Sequence, residues 1–305
     1  MVHVYLKNLR KSWLTGLVPP LIVVGFVGLI AATFPSMVKV ILDRVYTLTD
    51  PVTGQIYQAI LGDIGLEGLG FTWEAALFLY GGGTMNIIIL FVTLFIPARL
   101  LSTEIDKNTL DVMLSYPIPR WRYLLEKFCV YLTYSLLFPI SLIVLMIGST
   151  AVMNILYPEG FSYEVPQTGT VIPGEYKINT NLVLSYSISI FLLLFALGAI
   201  SLLCATVFLD SNKSITAAGA LILTQYFLES LGGLLTGLSD SFNSIQFFSL
   251  FHYFKVGNLK NDGILSASLS FNDLLFIPDI FIVVGVGIIA LIGALTIFHK
   301  REFAI

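Results

Sequence analysis

Charge is what this sequence has least of. Only 11% of its 305 residues are Asp, Glu, Lys or Arg, where a soluble domain carries roughly a quarter. A water-soluble fold is excluded by that shortage together with the 56% of apolar residues, which gather in uncharged runs too long for core helices. Positive charge is not in surplus either: 16 Lys and Arg against 19 Asp and Glu leave −3 at pH 7. A nucleic acid would find no basic surface over which to release its counterions, so it is excluded as a partner. Cysteine is nearly absent, and Cys129 and Cys204 both sit inside apolar runs. That argues against a disulfide framework or a thiolate metal site, and both read as small core residues. Catalytic patterns are missing too. There is no His-Glu-x-x-His and no Gly-x-Ser-x-Gly, acids do not cluster in the apolar runs, and His3, His252 and His299 lie far apart. No metal site and no covalent chemistry are expected of this chain.

What is present is a series of bilayer-length runs, at about 15–34, 75–97, 128–157, 182–209, 214–238 and 280–298. The expected fold is an all-α membrane protein of six transmembrane helices in a single domain, 1–305. The first run follows Lys7, Arg10 and Lys11 as a signal peptide would, but its apolar stretch is too long for one, and it is read as a retained span. Eleven basic residues (Lys7, Arg10, Lys11, Arg99, Lys107, Arg120, Arg122, Lys127, Lys213, Lys300, Arg301) fall on one side of these spans. Five (Lys39, Arg44, Lys177, Lys255, Lys260) fall on the other. The imbalance places both termini in the cytoplasm and the chain in the cytoplasmic (inner) membrane.

The outer segments differ in kind. Residues 35–74 are rich in Gly, Asp and Thr without a helical stripe, while 158–177 alternates polar and β-branched residues around Pro166, Pro173 and Gly174, the pattern of a short hairpin. The third, 241–259, carries Phe242, Ile245, Phe247, Phe248, Phe251, Tyr253 and Phe254 and is too apolar for open solvent. It is expected to lie in the interface or dip back into the membrane. Ahead of the first span, Val2, Tyr5, Leu6, Leu9 and Trp13 recur at helical spacing opposite Lys7, Asn8, Arg10 and Lys11. That pattern fits a separate amphipathic helix, 1–13, on the inner leaflet; the alternative is a span that simply extends into the cytoplasm.

The one long cytoplasmic loop, 98–127, carries charges of both signs and helix punctuation. Arg99, Glu104 and Lys107 prolong the second span, Asn108 or Thr109 can cap a short helix running through Met113 and Leu114, and Asp111 sits where the helix dipole favours an acid. Pro117 ends that helix, and Pro119 suits the first turn of the next, which Arg120, Trp121 and Arg122 anchor at the headgroups. A short helix tied to two spans, with Leu110 and Met113 as an apolar ridge, can transmit a push from a cytoplasmic partner. It can equally be a solvated connection.

Read in order, Arg99, Glu104, Lys107, Thr109-Leu110-Asp111, Leu114-Ser115, Pro117-Ile118, Arg120, Leu124-Leu125 and Lys127 resemble the cytoplasmic signature of type 2 ATP-binding-cassette (ABC) exporter permeases. The motif covers about thirty residues, and the span count extends the likeness over nearly the whole chain. Two positions depart from the signature, Asn108 and Glu126, each standing where the family has Gly. Asn tolerates a left-handed backbone, so the first departure is mild. The stretch Phe251-His252-Tyr253-Phe254, with the end of the last span, is similar to the branch that includes gliding-motility and copper-processing permeases.

The resemblance implies a transmembrane subunit that pairs with a second permease half, as a homodimer or a related heterodimer, and with two ATPase subunits. The coupling helix between them would use Arg99, Glu104, Asn108, Thr109, Leu110, Asp111, Leu114, Pro117 and Arg120. No Gly-x-x-x-x-Gly-Lys-Ser/Thr loop occurs in the sequence, so ATP and magnesium are expected on a separate nucleotide-binding polypeptide. The implied cargo is a lipid, hydrophobic drug, peptide or ion. A secondary transporter or ion-conducting subunit using Glu229, and a non-transporting membrane anchor, stay open beside it.

Inside the membrane, Glu229 lies roughly 22 Å along the fifth span from Ser214, in its outer third. An acid there costs about 3 kcal/mol unless paired, protonated or facing water. Gln225, Glu229, Gly232, Gly233 and Thr236 share one stripe, a candidate pathway lining, opposite apolar Leu223, Phe227, Leu231 and Leu234. Alternatively the span ends early and Glu229 lies at the outer surface. Asn86, in the Gly81-Gly82-Gly83-Thr84-Met85-Asn86 interruption of the second span, could line the same pathway, although close helix packing also explains the glycines. Small pairs at four-residue spacing (Gly28 and Ala32, Ser201 and Ala205, Ala290 and Ala294) are read as packing.

The topology is testable by single-cysteine labelling. A cysteine at Ser102 should react only with reagent supplied from the cytoplasm, and entry from outside would overturn the arrangement.

Overall fold

The computed structural model describes residues 2–47, 73, 89, 92, 93, 96, 97, 101, 119–164, 171–208, 210–235, 247–253 and 277–300. In chain order these form helix α1 (Val2–Thr47), helix α2 (Arg120–Leu156), strands β1 (Phe161–Glu164) and β2 (Val171–Gly174), and helices α3 (Thr180–Phe208), α4 (Ser211–Leu235) and α5 (Ile277–Lys300). The described residues are thus helical apart from one hairpin. Its strands pair antiparallel with Phe161 opposite Gly174 and Glu164 opposite Val171, inside the segment whose alternation predicts it.

Four stretches are long and apolar enough to cross a membrane: Gly16–Ser36, Arg120–Leu156, Val183–Phe208 and Ile280–Lys300. They correspond to the expected first, third, fourth and sixth spans. The fifth falls on α4, which carries Lys213, Gln225 and Glu229 along its length. The second, 75–97, lies outside the described residues except for Ile89, Val92, Thr93, Ile96 and Pro97, all helical and buried. Their spacing is that of one helical face.

Three boundaries differ from expectation. Helix α1 carries on through Pro35 to Thr47, into the outer segment 35–74, where no helical stripe is expected. Residues 1–13 do not stand as a separate element, because α1 runs without a break from Val2 through Pro19, Pro20 and Pro35. Tertiary contacts hold its first turns: the Tyr134 hydroxyl donates to the Leu9 carbonyl at 2.6 Å, and the Tyr5 and Thr133 hydroxyls share a hydrogen bond of 2.8 Å. Pro119, in turn, precedes α2 instead of lying in its first turn. Its carbonyl accepts the amides of Arg122 and Tyr123 at 3.0 and 3.3 Å. A proline has no N–H to lose there, and its φ of −62° and ψ of 135° leave the helix to begin at Arg120.

The sequence of α3 explains its place. It is apolar on every side, and 61% of its span is buried against 22% of that of α5, as expected of a central helix. It packs on α2, α4 and α5, while α1 packs on α2. The outer helices use one stripe each. On α1, Pro19, Val23, Val27, Ile30 and Phe34 are buried, while Leu21, Val24 and Leu29 face outward. On α5, Val283, Ala290, Ala294 and Phe298 are buried, while Phe281, Ile289 and Ile292 face outward. So broad an exposed apolar belt matches a lipid solvent.

Close approach between helices rests on small residues. The Tyr131 ring of α2 lies flush on Gly198 of α3, where a Cβ would overlap it, and its hydroxyl donates to the Leu194 carbonyl at 2.6 Å. Gly287 of α5 meets Phe195 and Ala196 of α3 in the same way. Of the small pairs, Ser201 with Ala205 and Ala290 with Ala294 are buried, whereas Gly28 and Ala32 face away from the described chain. Cys204 is buried as expected, but Cys129 is exposed on α2.

The contact at Gly198 yields a direct test. Gly198→Ala should displace the Tyr131 ring and lower stability by about 1 to 3 kcal/mol, read as earlier thermal unfolding in detergent. Tyr131→Phe, which loses only the hydrogen bond, should cost about 1 kcal/mol. An alanine variant as stable as wild type would show that the helices are free to part there.

Candidate functional site

Polar side chains in the described bundle gather at three places. At the end that the basic residues assign to the cytoplasm, Tyr123 of α2 stacks on Phe298 of α5 with centroids 6.5 Å apart. The Lys127 ammonium lies 5.5 Å from the Tyr123 ring centroid, a cation–π contact, although Lys127 is almost wholly buried. Arg122 and Glu126, one turn apart, approach to 3.8 Å. Arg120 opens α2, half-exposed. It is the one predicted coupling residue among those described, since Arg99, Glu104, Asn108, Thr109, Leu110, Asp111, Leu114 and Pro117 lie outside them. Within 98–118, Leu101 is the one described residue, helical and buried.

At the opposite end an aromatic cluster joins three segments. Trp73 sits edge-on to Phe34 of α1 at 5.2 Å and to Tyr176, just after the hairpin, at 5.4 Å. Its indole N–H donates to the Thr150 hydroxyl at 2.7 Å, and that hydroxyl donates to the Met146 carbonyl at 2.8 Å. The Asn154 amide donates to the Tyr176 carbonyl at 3.0 Å. The buried indole therefore has its partner, as a buried Trp N–H requires.

The third place is α4. The helix runs on to Leu235, so Glu229 lies six residues before its end and not beyond it. The face with Leu223, Phe227 and Leu231 is exposed, whereas Gln225 and Glu229 are half-buried and meet the turn 247–253. The Leu250 amide donates to the Gln225 side-chain carbonyl at 2.7 Å. The Ser249 hydroxyl donates to the main-chain carbonyl of Gln225 at 2.7 Å and accepts the Phe251 amide at 3.1 Å. One turn further on, the Glu229 carboxylate approaches His252 Nδ1 at 3.6 Å. Phe251 packs edge-on against Tyr226 with centroids 5.7 Å apart.

Two of the three residues assigned to a pathway therefore share a face, and that face is engaged by a segment from later in the chain. The third, Asn86, lies outside the described residues. Sequence reading left His252 and Ser249 without partners, because a contact across more than twenty residues has no local periodicity to announce it. The one available signal was polar residues inside an otherwise apolar segment beside a lone acid in a span.

Long apolar helices with an outward apolar belt define a multi-pass helical membrane protein. Its family follows from comparison with known proteins. The model of the ABC-2 family transporter protein matches residues 8–303, so the chain belongs to that family and is a membrane component of ABC transport. No curated protein and no solved structure gives a match.

Proposed function

We propose that this chain is the permease subunit of an ABC exporter, carrying its cargo across the cytoplasmic membrane by alternating access. The observation that supports this reading most is family membership over residues 8–303, joined to a loop whose order and spacing resemble the coupling signature. The chain catalyses no covalent step itself. Two permease halves, identical or related, work with two ATPase subunits that hold ATP and magnesium. Closure of the ATPase pair shifts the coupling helix around Glu104 to Pro117, and the shift rocks the spans between inward-facing and outward-facing states. The cargo is a lipid, hydrophobic drug, peptide or ion. Both termini and 98–127 face the cytoplasm.

Two measurements test this. The purified chain should hydrolyse no ATP and should co-purify with a separate ABC ATPase; hydrolysis by the isolated chain would sink the proposal. Leu110→Asp should weaken that complex at least tenfold, because an unpaired charge would be pressed into an apolar groove at a cost of about 2 kcal/mol or more. Undiminished co-purification and stimulated ATPase activity would remove the loop from the mechanism.

A further inference from the structure

We infer that Gln225 and Glu229 are the catch for a movable latch: they seat the turn 247–253 on α4 while the outer end of the permease is closed and release it when that end opens. This rests on the permease reading above, which gives the outer end its meaning.

Gln225 is used twice, through its side-chain carbonyl to the Leu250 amide and through its main-chain carbonyl to the Ser249 hydroxyl. Ser249 then closes the turn internally by accepting the Phe251 amide, and the Tyr253 hydroxyl does so again by donating to the Phe247 carbonyl at 2.9 Å. The turn is therefore a small preformed unit. Leu250 and Phe251 are buried beneath it, while Phe247 and Phe248 stand exposed on its other side.

The attachment differs from the interlocked packing elsewhere in the bundle. Among the described residues no ring lies flush on a glycine here, as Tyr131 does on Gly198. The polar part of the attachment is two hydrogen bonds accepted by Gln225 and a contact of 3.6 Å between Glu229 and His252, longer than a hydrogen bond. Among the described residues, Glu229 Oε2 has no hydrogen-bond partner. Side-chain exposure at Glu229 and His252 is 28% and 19%, so both side chains are largely removed from water.

That condition makes the contact state-dependent. Between a carboxylate and a protonated imidazole the direct attraction is several-fold greater in a dry, low-dielectric setting than after water enters and solvates each group. The Gln225 hydrogen bonds likewise exchange for bonds to water with little net loss. Contacts of this kind are firm while the outer end excludes water and weak after it admits water. Glu229 is then a positioning residue acting through His252, and Gln225 one acting through the Leu250 amide.

Amide exchange of the turn in the full chain, in lipid nanodiscs, tests the catch without needing transport. Gln225→Ala should speed exchange at Leu250 about tenfold, the scale of one lost hydrogen bond. Ser249→Ala, which keeps the helix intact, should do the same at Phe251. Glu229→Gln and His252→Gln should each speed exchange of the turn, the double variant should add nothing to either, and the exchanged pair Glu229→His with His252→Glu should recover slow exchange. Wild-type protection in Gln225→Ala and Ser249→Ala would overturn the catch.

The latch is tested in the complex with the ATPase subunits. Trapping with ATP should speed exchange at Leu250 and Phe251 in the wild-type protein about tenfold over the nucleotide-free complex. Unchanged protection in a complex whose ATPase is active would make the turn a fixed support and overturn the latch while leaving the permease reading intact. Failure to form any ATPase complex would sink both.

Discussion

Between apolar helices in an apolar solvent there is no hydrophobic drive to associate, because a lipid tail is as good a neighbour as a leucine. The bundle therefore depends on close packing that lipid cannot match and on hydrogen bonds that lipid cannot offer. The Tyr131 contact supplies both at once. Its ring takes the space left by Gly198, and its hydroxyl reaches the Leu194 carbonyl one turn earlier on the same helix. Helix α3 can be central because its neighbours approach it at such points, Tyr131 on one side and Gly287 on another, while the wide faces of α1 and α5 are left to the membrane.

The same constraint explains why polar side chains are few and placed. Several carry an interaction that a methylene could not. Trp73 and Thr150 tie a residue of the segment 35–74 to α2, and Asn154 ties the stretch after the hairpin to the same helix. At the other end Tyr134 and Thr133 tie the start of α1 to α2. Helix α2 is thereby fastened near its C-terminal end, at Thr150 and Asn154, and about a third of the way along, at Tyr131, Thr133 and Tyr134. A chain with 11% charged residues cannot hold its parts by surface ion pairs, and such pairs contribute little in any case.

Span-length runs were legible because hydropathy is a local property, and four of the six expected spans reappear as long apolar helices. The hairpin was legible for the same reason: alternation and turn residues sit within twenty positions of one another. The continuity of α1 was not. Three prolines and a switch from amphipathic to apolar character argue locally for a break near residue 13, and what overrides them is tertiary, the grip of Tyr134 on the Leu9 carbonyl. Glu229 was legible as an oddity and its stripe with Gln225 as a face, but His252 and Ser249 reach it by folding back across the sequence. The predicted coupling positions owe their roles to the family resemblance as much as to helix chemistry, and of them Arg120 alone lies on a described element, at the start of α2.

That placement gives the loop 98–127 mechanical consequence under the proposed coupling. It leads through Pro119 directly into a helix of 37 residues, about 56 Å at 1.5 Å per residue, which is longer than the roughly 30 Å of hydrocarbon it crosses. A displacement at Arg120 acts on a rod that touches α1 at Tyr134, α3 at Tyr131 and the aromatic cluster at Thr150 and Asn154. Because packed helices shift between discrete arrangements and do not deform continuously, motion at the inner end of α2 reaches Trp73 and Tyr176 as movement of the whole helix. Helix α4 packs on α3, the helix whose Leu194 carbonyl and Gly198 hold the Tyr131 contact, so the same motion reaches the face where Gln225 and Glu229 meet the turn. The turn then receives the push through α3 and α4, and its polar contacts are ones that water can replace.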